Sequence, residues 1–95
     1  MIKLIKDLPV DQESVLSQVH ISRRIVNWQR ACYAHVKDES GEVLSIHFVR
    51  REITNSLWER SLTLKLNESL AIKGILKKVS DSAFNFSVKD IVGQN

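Results

Sequence analysis

Between positions 24 and 47 the chain interleaves cations with flat rings: Arg24, Trp28, Arg30, Tyr33, His35, Lys37 and His47. Guanidinium and ammonium groups neutralise anions, and an aromatic face accepts another flat ring. A ligand that is both anionic and planar would use both. Single-stranded nucleic acid is such a ligand, each stacked base contributing roughly 1–3 kcal/mol. These residues form the candidate binding set, with Trp28 and Arg30 expected at a rim. The plainer account makes Trp28 a cap on the fold and Tyr33 an ordinary half-buried residue. Arg23-Arg24 and Arg50-Arg51 add cation pairs, and Lys73, Lys77, Lys78 and Lys89 add single charges. Solvated faces, or surface ion pairs with Glu39, Glu42 or Glu52 of at most about 1 kcal/mol, explain the arginine pairs equally well. The lysines could equally guard strand edges against aggregation.

Other chemistries fail on spacing. His20, His35 and His47 lie far apart and a lone cysteine accompanies them, so no zinc site is expected. No nucleophile elbow surrounds a serine, no carboxylate pair shares an evident cleft, and there is no glycine-rich phosphate loop. Neither catalysis nor a cofactor is expected. Cys32 has no partner for a disulfide within the chain and reads as a small core residue.

The elements that must position the binding set are legible from periodicity. A strand spans about Val15 to Trp28. Val19, Ile21 and Ile25 share one parity and Val26 and Trp28 the other, a switch that predicts a bulge or strong bend near Arg23-Arg24. Asn27 to Arg30 form a turn. A second strand, Ala31 to Lys37, places Cys32, Ala34 and Val36 inward and Tyr33, His35 and Lys37 outward. Asp38-Glu39-Ser40-Gly41 is a turn whose left-handed position suits Gly41. A third strand, Glu42 to Arg50, turns Leu44, Ile46 and Phe48 inward. Thr54 or Asn55 then caps a short helix with an apolar stripe of Leu57, Trp58 and Leu62. A fourth strand, Ser69 to Val79, buries Leu70, Ile72, Gly74 and Leu76. A fifth, Ala83 to Val92, buries Phe84, Phe86 and Val88.

Three strands, a helix and two strands describe a mainly β, five-stranded antiparallel OB-fold barrel with one short helix between strands three and four. The chain resembles the OB-fold nucleic-acid-binding family, of the type fused to tRNA-charging enzymes or forming helicase wedges and the N-terminal domains of some bacterial exonucleases. The motifs that carry this are Ile5-Lys6-Asp7-Leu8, Asp38-Glu39-Ser40-Gly41 before Val43 to Phe48, and Leu70 to Leu76 around Gly74. Ser17-Gln18-Val19 stands where the family often has a glycine opening strand one, and the loop Asn27 to Arg30 has none. The resemblance implies that strands two and three supply a face for oligonucleotides.

The 95 residues, 43% hydrophobic and 26% charged, suit one domain spanning 1–95, with 1–14 as a lead-in packed on the barrel. A net charge of +3 permits an anionic partner without demanding one. No apolar run reaches the ~18 residues of a membrane span, so no membrane partner is expected. MIKLIKDLPV lacks a signal-peptide core, and a reducing cytoplasmic setting is the expectation. Two functions from different classes follow. One is a module for single-stranded nucleic acid. The other is a protein-interaction subunit using outward Val43, Val49 and Ile75, and either would be compatible with a homodimer.

Overall fold

The computed structural model describes residues 4–94, apart from the side chains at 24, 25, 28 and 94. The strands are β1 (Glu13–Trp28), β2 (Ala31–Asp38), β3 (Val43–Val49), β4 (Ser69–Lys78) and β5 (Phe84–Gln94), and the helix α1 (Asn55–Leu62) falls between β3 and β4. They close into a barrel in the order β1-β2-β3-β5-β4. Each neighbouring pair is antiparallel except β3 and β5, which run parallel through Ser45↔Asn85, Ile46↔Phe86 and His47↔Ser87. An odd-membered ring cannot alternate direction throughout, so closure forces at least one parallel pair.

Alternation fills the interior. Leu16, Ile21, Cys32, Val36, Ile46, Phe48, Leu70, Ile72 and Phe86 are fully buried. The bend in β1 is real: its pairing with β2 slips between Ile21 and Arg23 and again between Arg23 and Val26. Gly74 lies where β4 and β5 shift register, and a Cβ there would come 2.2 Å from the Ser87 carbonyl oxygen. No other residue fits that approach without moving the strand.

Three expectations need correcting. The turn after β1 is only Gln29-Arg30, because Gln29 itself takes φ 31°, a left-handed position more often given to glycine. In α1, Leu62 is exposed, and Ser61 joins Leu57 and Trp58 in the buried face. Ser61 Oγ donates to the Trp58 carbonyl at 2.6 Å, which lets a polar residue occupy the barrel floor. Phe84 is exposed, since it pairs with Lys78 at the far ends of β4 and β5. Thr54 caps α1 as expected, its Oγ1 accepting the Leu57 N–H at 3.1 Å.

The lead-in packs on the barrel through a 3-10 turn, Ile5–Asp7, with Ile5 and Leu8 buried. Among the described residues no helix is long and apolar enough to cross a membrane.

Candidate nucleic-acid interface

Residues paired across neighbouring strands point to the same side of the sheet. The register therefore strings the outward side chains into rows that run across the strands. One row is Val26, Tyr33, His47, Ser87 and Ile75. The next outward row is Arg23, His35, Ser45, Asn85 and Lys77. Between them Ala34, Ile46, Phe86 and Leu76 point inward and are buried. Beyond them His20 pairs with Lys37, and Lys37 with Val43. At the usual strand spacing, each row covers about 19 Å of curved surface.

Four of the candidate residues thus share one face: Tyr33, His35, Lys37 and His47, all half-buried. The Tyr33 and His47 ring centroids lie 4.4 Å apart at an interplanar angle of 76°, an edge-to-face pair. Ser45 Oγ lies 3.5 Å from His47 Nε2, the outer limit of a hydrogen bond. Burial pushes the His47 pKa below its ordinary value, and a hydrogen bond with Asn85 offsets part of that. At neutral pH His47 is therefore a neutral flat ring. Charge on this face comes from the lysines and arginines.

Arg30 stands apart from those four, in the turn between β1 and β2. Its carbonyl accepts the Arg50 N–H at 2.9 Å, which ties that turn to the end of β3. There a hollow of about 690 Å³ opens, lined by Arg30, Ala31, Tyr33, Val49, Arg50, Arg51 and Asn55. The Arg50 guanidinium sits over the buried Trp58 ring, 5.6 Å from its centroid. Trp58 is thus a core residue that also holds a surface cation in place. Arg24 and Trp28 belong to β1, but their side chains lie outside the described residues.

The candidate set took Arg24 and kept Arg23 only as half of a cation pair, yet the register puts Arg23 opposite His35. The signal was present in the expected bulge, but a bulge flips parity at one residue that spacing alone does not identify. Asn85 and Ser87 were missed, and Lys77 was named only as one of four single charges. They reach this face because β5 closes on β3, a pairing between segments about 40 residues apart that no local pattern announces. The suggested apolar patch does not form. Val43 and Val49 lie six residues apart along β3, about 20 Å, and Ile75 is two strands away on β4.

Burial raises the Cys32 thiol above its ordinary pKa, and a hydrogen bond with Ser61 pulls it partly back, as befits an inert core thiol. Among the described residues no group of His, Cys, Asp and Glu is arranged to hold a metal ion.

No protein-family model matches the chain, and no curated protein does. Its fold is similar to part of an asparaginyl-tRNA synthetase from Pyrococcus horikoshii, with TM-score 0.77, 10% identity, and coverage of 96% of this chain and 21% of that one. It is similar to an OBody bound to hen egg-white lysozyme, with TM-score 0.72, 17% identity, and coverage of 90% and 86%. It is also similar to a chain of the S. pombe Stn1-Ten1 complex, with TM-score 0.73, 16% identity, and coverage of 87% and 57%. At these identities the likeness is one of fold, and the fold is the OB barrel.

Proposed function

We propose that this chain is a non-catalytic module that binds single-stranded DNA or RNA with little sequence specificity, in replication, repair or RNA metabolism. The observation that carries this reading is the Tyr33–His47 ring pair, set beside a second row that holds Arg23, His35 and Lys77. Rings stack any base, since every base has a π face, and cations track the backbone between them. Neutral His47 and Tyr33 supply stacking, while Arg23, Arg30, Lys37 and Lys77 supply charge. Among proteins of this fold one is a tRNA synthetase and another is bound to lysozyme, so the barrel serves both nucleic-acid enzymes and protein recognition.

The test is a fluorescence-anisotropy titration of the protein with a labelled mixed-sequence single strand, its duplex and an RNA equivalent. Each is measured at low and moderate salt. Single-strand binding that weakens steeply with salt is the expected result, because phosphate contacts release counterions. Absence of binding at low salt would overturn the reading and favour a protein partner, including a second copy of the chain.

A further inference from the structure

The hollow at the end of the face differs from the rows that lead to it. Three arginines, Arg30, Arg50 and Arg51, line it, and among the described residues no carboxylate does. All three residues are exposed. Among the described residues, the ion pairs are made by Arg60, Lys73 and Lys89 instead. The nearby Glu52 is engaged by Lys89, whose Nζ lies 3.1 Å from its Oε1, with Arg51 a weaker influence on the same carboxylate. Like charges clustered without counterions cost free energy in the unliganded protein. An anion that enters relieves that repulsion.

We propose that this hollow holds the phosphate monoester of a nucleotide, so that the module anchors a phosphorylated strand terminus. The proposal rests on the nucleic-acid reading above and adds an end preference to it. Charge selects the monoester. An internal phosphodiester carries a single negative charge, which one lysine of the face can match, whereas a monoester approaches two near neutral pH and offers three acceptor oxygens. Guanidinium forks meet such oxygens in pairs. About 690 Å³ leaves room for a whole nucleotide around its phosphate. Position selects an end. The hollow lies where β2 starts and β3 finishes, and Tyr33 borders both it and the row containing His47. A nucleotide seated there has its neighbour directed onto that row.

The experiment compares labelled single strands that carry either a phosphate monoester or a hydroxyl at each terminus in turn, with adenosine monophosphate and adenosine titrated separately. The phosphate at one terminus should tighten binding about tenfold, the scale of one charge-assisted hydrogen bond. Arg51→Gln should remove most of that gain while changing hydroxyl-ended binding less than about threefold. Adenosine monophosphate as tight as the phosphorylated strand would assign the site to the free nucleotide, and much weaker binding to the strand terminus. Either result supports the phosphate site. Strands that bind equally with and without a terminal phosphate overturn this inference and leave the strand-binding function standing. Strands that fail to bind while adenosine monophosphate binds, with loss in Arg51→Gln, overturn that function and keep the phosphate site. Silence of every ligand overturns both.

Discussion

The two ends of the β2–β3 hairpin put charge to opposite uses. At the turn, Asp38 is 4% exposed and both of its oxygens accept hydrogen bonds. Oδ1 accepts the Ser40 N–H at 2.9 Å, the Ser40 hydroxyl at 2.6 Å and the Glu42 N–H at 3.2 Å. Oδ2 accepts the Ile5 N–H at 2.8 Å, from a segment 33 residues away. Gly41, at φ 92°, completes the reversal. At the open end Arg30, Arg50 and Arg51 stand exposed around a hollow without a carboxylate. The difference separates two kinds of charged residue. A buried charge met on all sides by local donors holds the chain in place. Exposed charges of one sign gathered around a concave surface remain available to a ligand.

The largest expected effect breaks the closed end. Asp38→Ala strands the buried Ile5 N–H and unties the lead-in from the hairpin. It should cost about 3 kcal/mol of unfolding free energy in a urea titration, a large share of the stability of a domain this size. Strand affinity, measured where the variant is still folded, should stay within about twofold. A loss of affinity with stability intact would show that the turn belongs to the binding surface.

Tyr33→Ala tests the other end with the signs reversed. Losing one stacking platform should weaken single-strand binding by about 1–3 kcal/mol. Stability should change less than about 1.5 kcal/mol, the scale of the lost edge-to-face pair with His47. Equal losses in both assays would make Tyr33 a core residue.

How far the sequence disclosed each end follows from how local its cause is. Strict alternation across Tyr33–Val49 and the Gly41 position made the hairpin plain, and the parity switch in β1 announced a bulge. Gly74 stood out for order alone, and its reason, the close Ser87 carbonyl, needed the barrel. The contact between Ile5 and Asp38 had no local signature, because a carboxylate in a turn looks the same whether or not a distant N–H meets it. Ser61 and Leu62 exchanged places because a hydroxyl bonded one turn back is as burial-tolerant as a leucine, which hydrophobic spacing cannot register. Of the candidate site, the alternating residues of β2 and β3 were readable. The contributions of β5 and of the Arg50-Arg51 corner required knowing which strands are neighbours.

A smaller effect sharpens the contrast through pH. Burial alone would raise the Asp38 pKa, but the hydrogen bonds from Ser40, Ile5 and Glu42 outweigh it and hold the carboxyl below the usual carboxylate range. A carboxyl depressed in the folded state contributes stability that is fully present above its unfolded value, about 3.9, and is lost as pH falls through the lower folded value. Urea midpoints should therefore fall in acid more steeply for the native protein than for Asp38→Asn, which has no such proton to gain. The effect should be smaller than that of Asp38→Ala, because protonation keeps the side chain in place with an acceptor oxygen. Parallel acid profiles for the two proteins would mean that Asp38 is not the group being titrated.

The smallest effect lies one residue from Asp38. Lys37 and Asp38 are consecutive on β2, so their side chains leave opposite sides of the sheet. Lys37 joins His20 and Val43 on the outward face, while Asp38 turns inward to the lead-in. Lys37→Gln removes a charge but no stacking ring. Single-strand binding should weaken by about threefold at low salt, and to the same degree for every sequence. The slope of log affinity against log salt should shrink by about 0.7, the value for one phosphate contact on a single strand. Stability should hardly change, since no buried group loses a partner. An unchanged salt slope would take Lys37 off the path of the strand and confine the electrostatic contribution to Arg23, Arg30 and Lys77.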